Sequence, residues 1–260
     1  MLYLGCHLSA SGGYAAMCCT ARSICANTFQ FFTRNPRGGN AKATDEKDIK
    51  KLADIMKEYE FGPLLAHAPY TMNLCSDKED IRTFARGVLK EDIDRMKYLP
   101  DARFLFHPGS HVGQGAERGI EFIVDALNEA VTDDDGPLVL LEGMSGKGSE
   151  IGRTFEELAQ IIQGVKHNKR MGIVIDTCHM HSAGYDIVND LDGVLDEIDR
   201  VVGLESGEAR RPITAQEHRR FGVVQCAGTP RNKYIQMIAT RRTHRKTDRS
   251  GCTIPIQLGD

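Results

Sequence analysis

The run Phe104-Leu105-Phe106-His107-Pro108-Gly109-Ser110-His111 decides the fold. Three apolar residues stop at an imidazole and a Pro-Gly turn, as expected of a strand buried on both faces that ends at a functional surface. The same design recurs along the chain. Apolar segments at 3–8, 28–32, 64–66, 104–106, 138–141 and 172–175 are expected strands. Five of the six end at or beside a polar group, namely Gln30, His67, His107, Glu142 or Asp176, and His7 sits near the end of the first. Segments 45–59, 80–99, 115–131, 154–163 and 190–202 are expected helices, with Ile49, Leu52, Ile55 and Met56 forming one apolar stripe on the first of these. Thr154 followed by Glu157 has the spacing of a capping box. Six β-α units result.

Two α/β architectures accept such units. An open doubly wound sheet spreads its strand ends in a row and reads phosphate through a glycine-rich first turn, but Ser11-Gly12-Gly13 is no such fingerprint. A TIM (β/α)₈-type barrel gathers all the strand ends around one axis, where barrel enzymes build their sites. The barrel is the expected fold, and six recognisable β-α units leave it incomplete.

The chain has 260 residues, 41% hydrophobic and 27% charged, enough to bury a substantial core. It shows no apolar run of membrane-spanning length and no basic leader, so a cytoplasmic protein is expected, acting as a monomer. The eight cysteines form no CxxC pair, which argues for free thiols in a reducing compartment. The net charge of −3 is an average of two unlike parts. Residues 206–260 hold 11 Lys and Arg against 4 Asp and Glu, whereas residues 1–205 carry a charge of −10. We therefore expect a barrel domain at 1–205 and an atypical, disordered basic tail at 206–260, in which only 221–226 and 234–239 resemble regular elements.

His67, His107, Glu142, Asp176 and His179 are imidazoles and carboxylates without a thiol, the mixed donor set of zinc and related divalent ions. One histidine at a strand end is more often a satisfied hydrogen-bonding group than a ligand, but a barrel would converge several. Five candidates exceed what one catalytic ion needs, so two ions with Glu142 as the shared carboxylate are expected. Asp176 and His179 are expected in a loop leaving the strand. Cys178 reads as a packed thiol, His111 as a supporting donor or phosphate contact, and His167 and His181 as solvated or structural. The turns 108–110 and 143–149 offer backbone amides, serine hydroxyls and Lys147 as an anion cradle. Arg37 and Tyr70, on the loops after the second and third strands, suit phosphate contact and insertion between base steps of DNA.

Several motifs, in order, resemble the endonuclease IV family of apurinic/apyrimidinic endonucleases. They are Gly5-Cys6-His7-Leu8-Ser9 with Gly12-Gly13; Phe32-Thr33-Arg34-Asn35-Pro36-Arg37; His67-Ala68-Pro69-Tyr70 with Asn73-Leu74; Phe106 to His111; Leu141-Glu142; the glycines between 146 and 152; and Asp176-Thr177-Cys178-His179 with Ala183-Gly184-Tyr185-Asp186. The resemblance covers about residues 1–205. It implies a TIM barrel with a cluster of up to three zinc ions that cuts the DNA backbone 5′ to an abasic site. By the same resemblance His67 and His107 are ligands of the first zinc, Glu142 bridges to the second, Asp176 ligates the second and His179 the third. Arg37 and Tyr70 correspond to residues that enter the duplex. The sequence departs from the family in lacking any tryptophan after Asn35-Pro36-Arg37, where Gly38-Gly39 follow. It also lacks, after Glu205, the family's His-Leu-Asn-Asp and Asp-Arg-His motifs. A frameshift near residue 205 is the simplest origin of that tail. The alternatives are a remnant that binds zinc or DNA without cutting, and a sugar isomerase or epimerase on the same barrel.

Overall fold

The computed structural model describes residues 2–37, 39–203, 221–227 and 235–241. Strands β1 (Leu2–Tyr3), β2 (Gly5–Leu8), β3 (Thr28–Phe32), β4 (Leu64–His67), β5 (Ala102–Phe106), β6 (Val139–Glu142) and β7 (Met171–Asp176) are joined by β8 (Phe221–Ala227) and β9 (Ile235–Arg241) in one sheet. Helices α1 (Tyr14–Ser23), α2 (Glu46–Glu58), α3 (Glu79–Met96), α4 (Ala116–Ala130), α5 (Phe155–Gly164), α6 (Thr177–Ala183) and α7 (Leu191–Val202) alternate with the strands. Five of the six expected strands and all five expected helices form, with ends shifted by a few residues, while the expected strand at 3–8 is broken at Leu4 into β1 and β2. Strands β2 to β8 run parallel to their neighbours, and β9 runs antiparallel to both β8 and β1. Strand order is β1-β9-β8-β7-β6-β5-β4-β3-β2, so the two ends of the sheet are consecutive in the chain, with Leu4 alone between them. The sheet is therefore curled into a barrel that stops short of an eight-stranded parallel ring. The strands at 221–227 and 235–241 supply the sheet positions that six units leave empty, while the rest of 204–260 lies outside the described residues.

Alternation along each strand sorts its side chains between two cores. Phe29, Phe31, Leu64, Ala66, Phe104, Phe106, Val139, Leu141, Ile173 and Ile175 belong to the large core that also holds Leu52, Leu89, Ile123, Leu158 and Ile198 of the helices. Leu65, Leu105, Leu140 and Val174 form a separate small cluster inside the barrel. Two residues further along each of these strands come His67, His107, Glu142 and Asp176. The apolar cluster is thus a plug directly beneath the polar layer.

Two helices lie beyond the expected set. Tyr14–Ser23 lacks a strong apolar stripe, its small residues and cysteines packing Met17, Cys18 and Ala21 inward. Thr177–Ala183 forms in place of the expected loop, because the Asp176 carboxylate accepts from the backbone N–H groups of Cys178 and His179 and so caps a helix. Thr154 Oγ1 accepts from Glu157 N–H as its motif requires, but the Glu157 carboxylate accepts from Gly152 and Arg153 rather than from the cap residue. Cys25 is disulfide-bonded, contrary to the expectation of free thiols throughout, whereas Cys6, Cys18, Cys19, Cys75 and Cys178 form no disulfide.

The buried Leu105 plug residue makes a direct test of the barrel interior. Leu105→Ala should cost about 3 kcal/mol of unfolding free energy in a denaturant titration, through lost transfer energy and the cavity left behind.

Candidate metal centre

Glu142 ends β6 and is only 1% exposed. A carboxylate so buried must be met by positive charge or hydrogen-bond donors, and here it is met by imidazoles from three other elements. His67 Nε2, at the end of β4, lies 3.2 Å from Oε2, and His107 Nε2, just past β5, lies 3.3 Å from the same oxygen. His179 Nδ1, in the first turn of α6, lies 3.3 Å from Oε1. Burial pushes the Glu142 carboxyl up, but the charge of His107 and the close approach of His107, His179 and His67 outweigh it and hold the group well below the usual carboxylate range. Burial likewise pulls the His179 imidazole down, yet Glu142 and Asp176 push it up to about 9.

The lone pairs point to a cation. His67 Nδ1 is 2.6 Å from the Ala68 carbonyl oxygen, which assigns the proton to Nδ1 and leaves the Nε2 lone pair facing the Glu142 oxygen. Two acceptors at that distance repel unless a proton or metal ion lies with them. His107 Nε2 is buried and, for all its closeness to Glu142, makes no well-directed hydrogen bond. Asp176, 2% exposed, ends β7, and its Oδ1 is held by the two amides of α6. Two groups emerge, His67-His107-Glu142 and Glu142-Asp176-His179, each with ligand atoms within 4.8 Å of one another. They share Glu142. This oxygen and nitrogen donor set fits divalent ions.

The loops around the cluster carry the other sequence candidates. Tyr70 is 63% exposed and packs its ring against Phe32, His67 and His107 at centroid separations of 5.1, 5.6 and 5.6 Å. Its N–H donates to the Pro36 carbonyl at 3.0 Å, which ties it to the loop that exposes Arg37. A cleft of about 1040 Å³ opens beside the cluster between the loops after β2 and β3, lined by His7, Phe32, Arg34, Asn35, Lys42 and Arg95 among others. His7 Nδ1 contacts Gln30 Nε2 at 3.2 Å and belongs to neither group of possible ligands. His111 accepts from Gly115 N–H, His167 pairs with Asp134, and His181 is exposed.

Two sequence expectations are corrected here. Part of the anion cradle is engaged within the protein, since Ser145 Oγ and Lys147 N–H both donate to the Glu150 carboxylate, while His111 N–H and Val112 N–H donate to Ser149. The two turns thereby fasten to each other. Gly109 is required for this, because its φ of +114° and a Cβ that would meet Asn73 Oδ1 at 2.4 Å exclude other residues. Cys178 is exposed rather than packed, since α6 turns it outward while Met180 faces the core. One feature has no counterpart among the sequence expectations, the buried ion pair of Arg34 with Asp92. Its signal is an acidic residue on the apolar stripe of α3, between Leu89 and Met96.

The geometry has counterparts of known kind. The family described as "Xylose isomerase-like TIM barrel" matches residues 20–252, a span that crosses the charge boundary near residue 205. "Probable endonuclease 4" of Alkaliphilus oremlandii is 53% identical over 225 residues, covering 84% of this chain and 80% of its own. The protein of the same name from Akkermansia muciniphila is 57% identical over 205 residues, covering 79% and 74%. Among solved structures, endonuclease IV from Thermus thermophilus superposes with a TM-score of 0.67 at 31% identity, covering 77% of this chain and 72% of that one. D-Psicose 3-epimerase from Clostridium cellulolyticum, with a TM-score of 0.58 at 15% identity, covers 76% and 70% and shares the fold alone. On the strength of these identities and of the barrel beneath them, the chain belongs to the endonuclease IV family.

Proposed function

We propose that the protein is a zinc-dependent apurinic/apyrimidinic endonuclease that hydrolyses the phosphodiester 5′ to an abasic site in DNA. The observation that carries this reading is the buried Glu142 carboxylate shared by two groups of ligand-type residues at the mouth of the barrel. In this reading His67, His107 and Glu142 hold one ion, and Glu142, Asp176 and His179 hold a second. Bound divalent ions supply Lewis-acid polarisation of a phosphoryl group and acidify water. The chain's own groups prepare the site for them. The Ala68 carbonyl fixes the His67 tautomer, the α6 amides orient Asp176, and the Gly143 carbonyl together with Glu142 orients His179. Tyr70 screens the His67 and His107 rings from water and presents an aromatic face beside Arg37, a pair suited to a base step and a backbone phosphate. All these residues lie within 1–205, and the basic segment 206–260 contributes none of them. Among the described residues no helix is long and apolar enough to cross a membrane, in keeping with the cytoplasmic, monomeric repair enzyme we infer.

Two outcomes test the assignment. The zinc-loaded protein should nick a duplex bearing a single abasic site on its 5′ side, leave an end that a polymerase extends, and lose this activity to chelators. Glu142→Gln should lower cutting by about 10³-fold or more, the scale of losing a group around which charge stabilisation is organised. An intact duplex after prolonged incubation with the loaded protein would overturn the reading.

The metal-free protein has a distinct pH signature. His179 is raised from 6.5 to about 9, so its contribution to stability is complete below 6.5 and is lost as pH rises through 9. Glu142 is lowered from 4.5, so its contribution is complete above 4.5 and is lost as pH falls further. Chelator-treated protein should therefore melt at a lower temperature near pH 9 than near pH 6. Zinc, which takes the place of the proton, should flatten this slope, and so should His179→Gln. An equal slope in that variant would remove His179 as its source.

A further inference from the structure

Thr33 and Arg34 leave β3 and open the loop that carries Arg37, and both are buried. Their common partner comes from outside the barrel. Asp92, 0% exposed on α3, lies in an otherwise apolar stripe with Val88, Leu89, Ile93 and Met96. Its Oδ1 accepts from Arg34 Nη2 at 2.6 Å, and its Oδ2 accepts from Arg34 Nε at 3.2 Å and from Thr33 Oγ1 at 2.6 Å. Arg34 Nη1 then donates to the Gly39 carbonyl at 3.2 Å, so one guanidinium links the start of the loop to its middle. Glu91, at the rim, lies 3.1 Å from Nη2. The neighbouring loop is tied into the same assembly, because Thr33 N–H donates to the His67 carbonyl at 3.0 Å, while Tyr70 N–H donates to the Pro36 carbonyl.

Buried ion pairs seldom outperform well-packed hydrophobic replacements, so stability alone does not account for this pair. A bidentate Arg-carboxylate contact differs in that it accepts one relative geometry. We propose that Asp92 is a positioning residue: through Arg34 and Thr33 it holds residues 33–37, and with them Arg37 and Tyr70, in the arrangement that meets DNA. This inference rests on the proposed function for what the loop contacts, though the clamp is a feature of the chain itself. Asp92 is remote from the His67-Glu142 cluster in role, so its loss should act on substrate binding before it acts on chemistry.

The test uses the full zinc-loaded chain and three variants. Asp92→Asn breaks the charge pair. The double variant Arg34→Met with Asp92→Leu removes both charges and keeps the volume, so that it folds even where the single variant does not. Asp94→Asn, which changes an exposed residue paired with Lys97 on the same helix, is the control. For Asp92→Asn and the double variant, KM for the abasic duplex should rise about tenfold, the equivalent of about 1.4 kcal/mol of binding. Turnover at saturating duplex should stay within about twofold, as expected when only uniform binding is lost. Native-state trypsin cleavage after Arg37 should accelerate in both, and the urea midpoint of the double variant should stay near the parent's. An unchanged KM in the folded double variant overturns the proposal, as does a joint fall of kcat and kcat/KM that merely tracks lost stability. If the parent fails to cut the duplex, the functional reading fails separately. The trypsin rate still decides the clamp, which faster cleavage supports and unchanged cleavage overturns.

Discussion

A carboxylate buried at the mouth of a barrel is the constraint on which the site depends. Glu142 has almost no contact with solvent, and transferring an ionised carboxylate out of water without partners is prohibitive. The chain meets that demand with imidazoles delivered after β4, β5 and β7, His67, His107 and His179, rather than with lysine or arginine. The choice matters chemically. A guanidinium would neutralise Glu142 permanently, whereas an imidazole exchanges its proton for a metal ion near neutral pH. The donors of the site are thus arranged for a cation. Ion binding to the folded chain alone would also stabilise the fold by mass action.

That arrangement follows from strand parity. Leu65, Leu105, Leu140 and Val174 point inward and meet, and a side chain two residues on must point the same way. Cross-strand registers set His67 beside Leu105 and Glu142 beside Val174, so the polar groups rest directly against the plug of the next strand. Slipping any one strand by a single residue would turn its polar terminus toward the helices and its neighbours toward the axis. The plug therefore specifies the site as well as supporting it. Its apolar residues leave the carboxylates no water from below, so their partners must come from the same layer or from above.

Features encoded locally are legible in the sequence, and features encoded by contacts across the fold are not. The apolar runs with terminal His67, His107, Glu142 and Asp176 point to strands, barrel and candidate ligands together, because a parallel barrel translates strand ends directly into neighbours. Helices with one strong stripe, such as Glu46–Glu58, are equally readable. Helix α1 has no such stripe, and α6 is hidden because Asp176 serves both as a ligand-type residue and as a cap, and its spacing displays only the first. The glycine-rich turns resemble an anion cradle because their amides are visible in the sequence, while the acceptor that fills them, Glu150, acts only once the turn closes. Asp92 is hidden for the same reason. Its partner Arg34 lies 58 residues away and shares its loop with Arg37, whose motif gives the plainer signal.

The basic end of the chain shows what a sheet requires apart from a site. With six parallel units alone, β7 would present an open edge of unpaired backbone groups. Strand β8 satisfies that edge in parallel register, with Val224 beside Asp176, and β9 folds back on β8 to reach β1. Backbone pairing asks nothing of side-chain chemistry, so a segment of basic composition can meet it. Site construction is more demanding, since each strand must deliver a suitable residue at its carboxyl end on the same face. Strand β9 runs antiparallel and brings its carboxyl end to the opposite face, and neither Phe221–Ala227 nor Ile235–Arg241 contains a histidine or an acid. The two strands thus extend the hydrogen-bonded sheet from β7 round to β1, and neither carries an imidazole or carboxylate ligand. Among the described residues every candidate ligand comes from the acidic first 205, and they assemble into two groups sharing Glu142.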